Sequence, residues 1–333
     1  MKIWYDASAG KHVRYGIAIA KQLRTSGHEV IFTTREHPDT LGLAKALGEN
    51  PIVVGRYDPA SLFTRLEESA NRVLQFSKLF RNNIPEIAIG SQSVELCRVA
   101  FGLGIPTILT ADTPYAEAVN RLTIPLADAL VVSKAIPTRI FRRYSAKKIV
   151  QFNGVDEVAW IENFVPTQTF GIRRPLIVVR QMESKAAYAL GKTDMTEKLA
   201  RKLGRLGNVL FIARYGDKTV KGLVTAKNFV NTTELVANAD LVVGVGGTIG
   251  REAALQGIPS IVISARTHEL RGRTYVNEYL SKEGFPLFMV SASKVLAMAE
   301  KYLGKKWDVR EKLRKMENPV DVIETIIKKK EFI

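Results

Sequence analysis

The sequence predicts an α/β protein with two domains, each built on a parallel sheet that is covered by helices on both faces. Short apolar runs alternate with amphipathic segments along the 333 residues, which is typical of repeated βαβ units. The alternation lapses once, in the polar stretch 163–175, and then restarts. A chain of this length suits two domains. We expect domains at 1–165 and 166–318, and a terminal helix within 319–333 that packs back on the first domain.

The first half contains six short runs that are too brief for helices and rich in apolar residues, which predicts strands. These strands are expected at 2–6, 29–33, 52–54, 87–89, 107–110 and 130–132. Between them, apolar residues recur at helical spacing. The corresponding helices are expected near 12–26, 39–47, 59–81, 92–103 and 117–126.

In the second half, strands are expected at 176–180, 208–213, 241–243, 260–263 and 287–289. The stretch 241–263 is the most informative, because it reads as strand, glycine turn, helix and strand. Gly246 and Gly247 permit a sharp turn, and Thr248 is the expected N-cap of a helix through Gln256. Gly257 and Pro259 end that helix. A helix N-terminus at the carboxyl end of a parallel strand can bind an anion, and Glu252 lies about one turn into the helix.

Two well-known phosphate motifs are absent from the sequence. The dinucleotide fingerprint requires a third glycine where Ile249 stands, and the NTPase phosphate loop fails at Gly10-Lys11 because His12 follows the lysine. The turn at 244–247 also fits an ordinary strand-to-helix connection.

Composition and charge restrict the class of protein. One cysteine, Cys97, excludes an internal disulfide framework and suits the cytoplasm. We expect no signal peptide and no membrane span. The net charge is +16, with 20 Lys and Arg against 16 Asp and Glu in 1–165, and 29 against 17 in 166–333. A basic second half fits an anionic ligand, and it leaves peripheral attachment to the anionic inner membrane face open beside simple solvation.

Three segments resemble known families. Asp112-Thr-Pro-Tyr-Ala-Glu-Ala-Val-Asn-Arg, ending in Leu-Ala-Asp128, resembles a stretch of the non-hydrolysing UDP-GlcNAc 2-epimerases. Gly246-Gly-Thr-Ile-Gly-Arg-Glu252 resembles the Gly-Gly…Glu element of those enzymes and of MurG-type transferases. The chain is most similar to an uncharacterised archaeal and bacterial domain family of GT-B-like architecture. Its members share the loop from Asp6 to His12 and an arginine like Arg180. The abundance of Lys, Glu and Arg with few Cys and Met also suits a thermophile.

The resemblance implies a GT-B fold, with two Rossmann-like domains whose sheets face a cleft, and a nucleotide-sugar donor. The candidate catalytic residues on the acceptor side are His12, Asp6, Asp112 and Glu117. The candidate nucleotide and diphosphate ligands on the donor side are Arg180, Ser184, Lys185, Gly246, Gly247, Thr248, Arg251 and Glu252. No metal site is expected, because no His pair has ligand spacing with a third ligand.

The epimerase pattern breaks at two proton-handling positions. Gly90-Ser-Gln-Ser93 lacks the expected acid, and Arg180-Gln-Met-Glu-Ser184 lacks the expected histidine. We therefore expect a metal-independent glycosyltransferase that uses a nucleotide-sugar, such as a UDP-sugar, as substrate and holds no tightly bound cofactor. Its acceptor would be a small or a lipid-linked molecule. The alternatives are an epimerase-like enzyme and a protein that binds a nucleotide or polyanion without turnover. No motif or aromatic–basic platform indicates nucleic-acid binding, and the oligomeric state stays open.

Overall fold

A computed structural model describes residues 1–37, 40–182, 194–213, 220–226, 230–245, 247–263 and 274–330. The chain divides into two compact units. The first contains residues 1–160 together with 316–333, and the second contains residues 161–315. Helix α14 (Pro319–Lys328) therefore belongs to the first unit.

Within the described ranges, the first unit is an all-parallel sheet of seven strands in the order β3-β2-β1-β4-β5-β6-β7. Its strands are β1 (Lys2–Ala7), β2 (Glu29–Glu36), β3 (Ile52–Arg56), β4 (Ile87–Gly90), β5 (Thr107–Thr110), β6 (Ala129–Ser133) and β7 (Ile149–Phe152). Its helices are α1 (Gly10–Thr25), α2 (Leu41–Ala46), α3 (Leu62–Leu79), α4 (Val94–Leu103), α5 (Glu117–Thr123), α6 (Arg139–Arg142) and α14 (Pro319–Lys328), with α7 (Val158–Ile161) at the unit boundary.

The two faces of this sheet are covered by different helices. Tyr5 belongs to a core that includes apolar residues of α1, α2 and α14. The neighbouring Trp4 points to the other face, because side chains alternate along a strand. There its ring lies 4.7 Å from both Phe76 and Phe80, at the end of α3.

A buried ion pair ties β1 to α3. The Arg72 guanidinium donates to both oxygens of Asp6, at 2.6 and 3.0 Å, and both side chains are at most 1% exposed. Arg72 Nη1 also donates to Glu95 at 3.2 Å. The remaining acceptor capacity of Asp6 is used by the hydroxyls of Thr33, at 2.7 Å, and Ser93, at 2.6 Å. The ion pair thus joins β1, β2, α3 and α4, and Asp6 is fully engaged in the fold.

Within its described ranges, the second unit is a parallel sheet of six strands in the order β10-β9-β8-β11-β12-β13. Its strands are β8 (Leu176–Arg180), β9 (Asn208–Ile212), β10 (Val224–Thr225), β11 (Leu241–Gly244), β12 (Ser260–Ile263) and β13 (Leu287–Val290). Its helices are α8 (Thr196–Leu203), α9 (Thr232–Ala237), α10 (Thr248–Leu255), α11 (Tyr275–Lys282), α12 (Val295–Tyr302) and α13 (Arg310–Arg314).

The predicted α/β class with parallel sheets is confirmed. Two strands, β7 and β10, are additional to the sequence prediction. The burial pattern of β7 explains the omission, since three of its four residues are only half-buried and its apolar signal is weak. Among the described residues, no helix is both long and apolar enough to cross a bilayer.

We expect Arg72→Met to destabilise the first unit by about 3–5 kcal/mol, because it leaves the Asp6 carboxylate buried without its counter-charge. The matched control is Arg56→Met, which removes a pair with Glu68 on an arginine that is 63% exposed and should cost less than about 1 kcal/mol. Chemical unfolding followed by tryptophan fluorescence measures both. An equal loss of unfolding free energy in the two variants would show that the buried Asp6–Arg72 pair stabilises the protein no more than an exposed pair does.

Candidate functional site

The strand order of the first unit reverses between β1 and β4, and ligands of open parallel sheets bind at the carboxyl edge beside such a reversal. Asp6 lies opposite Gly90 in this register, and α1 begins four residues later. Lys11 and His12 therefore occupy the first turn of α1 at this edge. Asp112 follows β5 and Asp156 follows β7 at the same edge.

Lys11 holds a group of carboxylates at this edge, which we call the Lys11 cluster: Lys11, Asp112, Asp156 and Glu157. The Lys11 ammonium donates to Asp112 and, at 2.7 Å, to Asp156, while a Glu157 oxygen lies at 4.0 Å. Asp156 and Glu157 are nearly inaccessible, whereas Asp112 is 21% exposed. One cation thus serves three carboxylates, and Asp112 connects the cluster to solvent.

Burial raises the pKa of Asp156 to about 6, and the negative charges of Asp112 and Glu157 add to this effect against the lowering influence of Lys11. The cluster therefore contains a carboxyl group that can exchange a proton near neutral pH, as a general acid or base must. The Tyr15 hydroxyl is also buried and has no hydrogen-bond partner among the described residues. Burial first, and then the charge of Asp156, raises its pKa, so the phenol stays protonated.

His12 is held in one orientation beside this cluster. Its Nδ1 is 2.9 Å from the Ser8 hydroxyl, and its carbonyl accepts from the Tyr5 hydroxyl at 2.9 Å. Burial, and then the positive charge of Lys11, lowers the pKa of His12 to about 4. The imidazole is therefore neutral at physiological pH, and Nε2 is the ring nitrogen left to meet a substrate.

The other two candidate catalytic residues have different surroundings. Asp6 is completely buried in its ion pair with Arg72. It therefore stabilises the fold and is inaccessible to a substrate. Glu117 is 52% exposed and accepts from Arg121 at 2.7 Å and from the Tyr144 hydroxyl at 2.6 Å. Glu117, Arg121 and Tyr144 line an open surface pocket of about 450 Å³ together with Arg143. Of the four candidates, the structure brings His12 and Asp112 together beside Lys11.

The second unit repeats the edge geometry. Its strand order reverses between β8 and β11, and the paired register Val243–Val179 places Gly244 beside Arg180, the last residue of β8. The chain then turns at Gly247, which has a φ of 96° and open space where a side chain would lie. Arg180 and the start of α10 therefore lie at the same carboxyl edge of the sheet, after two adjacent strands.

Gly247, rather than Thr248, is the N-cap of α10, and this N-cap residue makes no side-chain capping bond. The sequence expectation for Thr248 is therefore corrected, because the glycine takes the non-helical conformation and Thr248 is already helical. The first turn of α10 contains no acidic residue either. Ser184, Lys185 and Gly246 lie outside the described residues.

Glu252 and Arg251 are both buried on α10. The Glu252 carboxylate is fully inaccessible and accepts from the hydroxyls of Thr232, at 3.0 Å, and Thr233, at 2.9 Å. Glu252 therefore links α10 to α9. Its carboxylate is inaccessible, so the expected hydrogen bonds to ribose hydroxyls do not fit this position. Across the described ranges, no group of three or more His, Cys, Asp or Glu side chains is arranged to hold a metal ion.

Sequence reasoning missed Lys11 and Asp156. In the sequence, Lys11 stands out only as part of an incomplete phosphate loop. Asp156 lies four positions after the end of β7, a strand that the sequence did not reveal. An acid so close to the end of a parallel strand would have indicated the carboxyl edge had β7 been recognised.

A family model described as "protein of unknown function (DUF354)" matches residues 1–331. An uncharacterized protein of Methanocaldococcus jannaschii is 28% identical over 340 residues, which cover 97% of this chain and 96% of that protein.

Two solved structures are similar over nearly the whole chain. The UDP-GlcNAc 2-epimerase of M. jannaschii, in complex with UDP-GlcNAc and UDP, has a TM-score of 0.71 at 15% identity and covers 98% of this chain and 99% of its own. The glycosyltransferase SsfS6 of Streptomyces sp. SF2575, complexed with thymidine diphosphate, has a TM-score of 0.61 at 17% identity, with coverage of 98% and 99%. The fold is therefore the one shared by GT-B glycosyltransferases and these epimerases.

We expect the His12 ring to remain neutral at pH 5.5 and to titrate near pH 4, because burial and Lys11 disfavour the imidazolium. The unfolded chain binds this proton near pH 6.5, so His12 should make the native state less stable as pH falls from about 6.5 to about 4. Ring ¹⁵N NMR measures the titration, and His12→Gln identifies the signal.

Lys11→Met should raise the His12 pKa, because it removes the adjacent positive charge. Lys45→Met, on an exposed position of α2, is the matched control and should leave the titration in place. A His12 midpoint near 6.5 in the unmodified protein would contradict this electrostatic description.

Proposed function

The chain belongs to the DUF354 family, and we propose that it is a metal-independent glycosyltransferase that uses a nucleoside diphosphate sugar as donor. One observation carries the proposal: Arg180 ends β8, and the uncapped start of α10 follows the adjacent strand β11 at the strand reversal of the second unit. That arrangement matches the chemistry of a diphosphate, which needs cationic and N–H donors on neighbouring elements. The Arg180 guanidinium itself contacts the Ala213 carbonyl, after β9, at 3.5 Å.

Three features support a diphosphate at this edge. The N-cap residue, Gly247, has no side chain to satisfy the N–H groups in the first turn of α10, and these groups carry the positive end of the helix dipole. The open space at Gly247 allows close approach of a ligand to the backbone. The unit as a whole, residues 161–315, contains 26 Lys and Arg against 14 Asp and Glu, which favours an anionic ligand.

Arg180 and the α10 amides act on the leaving group. As the bond between the sugar and the diphosphate breaks, negative charge grows on the diphosphate oxygens. Fixed donors aimed at that charge lower the barrier without a metal ion. Guanidinium binds two phosphate oxygens at once, so Arg180 also orients the diphosphate. Glu252 contributes by holding α10 in place through Thr232 and Thr233.

The first unit handles the proton of the acceptor. An acceptor hydroxyl must lose a proton as its oxygen attacks the sugar carbon. Asp112, the accessible carboxylate, takes that proton from the acceptor and passes it to the nearly inaccessible Asp156, whose pKa is near 6 and which shares the Lys11 ammonium with Asp112. Neutral His12 orients the hydroxyl by donating from Nε2 to its oxygen, since the Ser8 hydroxyl can donate to Nδ1. An imidazole with a pKa near 4 is too weak a base to take the proton itself. Asp112 is the accessible member of the cluster and contacts the acceptor.

The Lys11 cluster also favours a second candidate, epimerisation of a nucleotide sugar at C2. That reaction consists of proton removal and return, and the cluster contains a carboxyl group that titrates near neutrality beside a second carboxylate. The same donor site would serve both reactions, so the products must distinguish them.

The acceptor is a hydroxyl compound, either small or lipid-linked, and extraction of the labelled product into organic solvent separates these two classes. The single thiol, Cys97, is buried, which suits a reducing compartment, and we place the enzyme in the cytoplasm.

We expect UDP, or a related nucleoside diphosphate, to raise the melting temperature. At about 100 times the dissociation constant the stabilisation should be about 2.7 kcal/mol. Arg180→Ala should abolish most of it, Arg180→Lys should restore part, and Arg205→Ala, at an exposed position of the same unit, should behave as the unmodified protein. EDTA should change nothing. A melting temperature that no nucleoside diphosphate or nucleotide sugar changes would contradict the proposed donor site.

We expect the protein to release nucleotide from one member of a panel of UDP-, GDP- and TDP-sugars, with a new glycoside visible by NMR. Asp156→Asn should lower turnover by about 100- to 10,000-fold while nucleotide affinity stays unchanged, because it removes the group that takes the proton. Glu29→Gln, at a carboxylate that is 64% exposed, is the control. A C2 epimer without glycoside would select the second candidate. Nucleotide binding without any product would make the protein a non-catalytic binder and refute both.

A further inference from the structure

We propose that two copies of this chain associate through the outer surface of α3, α4 and α5, which we call the α3 face. Six large apolar side chains on these helices are each more than half exposed. They are Leu62, Phe63, Leu66, Leu74, Phe101 and Leu122. The proposal concerns the first unit alone and does not depend on the proposed activity.

The exposed apolar side chains are concentrated on this face. Of the sixteen large apolar side chains that are exposed in the described ranges, eight lie on α3, α4 and α5, and three lie in the second unit. Scattered exposed apolar residues need no explanation, whereas a contiguous group marks an interaction surface.

The three helices form one continuous surface. They connect successive strands on the same side of the sheet, where Arg72 and Phe76 of α3 point inward to Asp6 and Trp4. The outward side of α3 carries Phe63, Leu66, Ala70 and Leu74, which are all exposed and follow each other at helical spacings of three and four. This stripe is therefore the outer ridge of α3.

The ridge fits a second copy of itself. In an antiparallel pair of α3 helices crossing at Ala70, Leu66 of each copy meets Leu74 of the other. The small side chain at the crossing lets the two backbones approach. Such self-matching is what a two-fold interface requires. The six exposed side chains offer on the order of 600 Å² of apolar surface, close to the ~800 Å² that each partner buries in a standard interface.

The charges around the ridge favour a protein partner over an anionic bilayer. The exposed charged side chains of α3, α4 and α5 have both signs: Glu67 and Glu117 are acidic, and Lys78, Arg98 and Arg121 are basic. Attraction to anionic lipid requires a surface of one positive sign. Mixed signs instead allow opposite charges to meet across a two-fold axis.

Sedimentation equilibrium of the full chain at micromolar concentration tests the proposal. The unmodified protein should have twice the monomer mass of 37.0 kDa. Leu66→Glu should weaken the dimer at least 100-fold, because it places a like charge in each half of the interface. Val165→Glu, at a position of the second unit that is 73% exposed, is the matched control and should leave the dimer intact. Circular dichroism confirms that each variant is folded.

A second measurement locates the contact. Ala70→Cys places a thiol at the two-fold axis, and a short bis-maleimide should join two copies through it. Val165→Cys should not cross-link, and the natural Cys97 is buried. A monomer at all concentrations, or a dimer that Leu66→Glu leaves intact, would overturn the proposal. So would binding of a monomeric protein to anionic vesicles that Leu66→Glu abolishes, which would assign the face to a membrane.

Discussion

The buried ion pair between Asp6 and Arg72 is the constraint on which the first unit depends. Burial by itself would lower the pKa of Arg72, but the charges and hydrogen bonds of Asp6 and Glu95 raise it, so the guanidinium stays charged. A charge in this position cannot be left without its partner, because water cannot reach it. The pair therefore fixes the carboxyl end of β1 against α3. The short loop that follows β1 contains Ser8, and the first turn of α1 places Lys11 and His12 at the same edge of the sheet.

The two units use charge in opposite ways. In the first, one lysine is shared among three carboxylates in a nearly dry environment, which keeps Asp156 ready to exchange a proton at neutral pH. In the second unit, the Glu252 carboxylate is used inside the fold, because it accepts from two threonines of α9 and so links α10 to α9. Arg180 and the N–H groups at the start of α10 lie at the carboxyl edge of the sheet. The first arrangement suits proton transfer, and the second suits binding of an anion.

The order of strands and helices was readable from the sequence because buried parallel strands are short apolar runs and their covering helices are amphipathic. Every strand expected from such a run is present, with ends that differ by a few residues. The half-buried β7 and the two-residue β10 were missed, because neither has a strong apolar pattern.

The sequence by itself determined the α/β class, the parallel sheets, and the glycine turn before α10, since each depends on local pattern. It also pointed to His12, Asp112 and Arg180, which lie within five residues of the carboxyl end of a strand or end one. Only the tertiary structure decided the state of each side chain. Asp6 and Glu252 look like site residues in sequence, yet contacts with residues 66 and about 20 positions away bury them in the core. Asp156 became a candidate only when the fold brought it to Lys11, 145 residues earlier, because burial and neighbouring charge set its affinity for a proton.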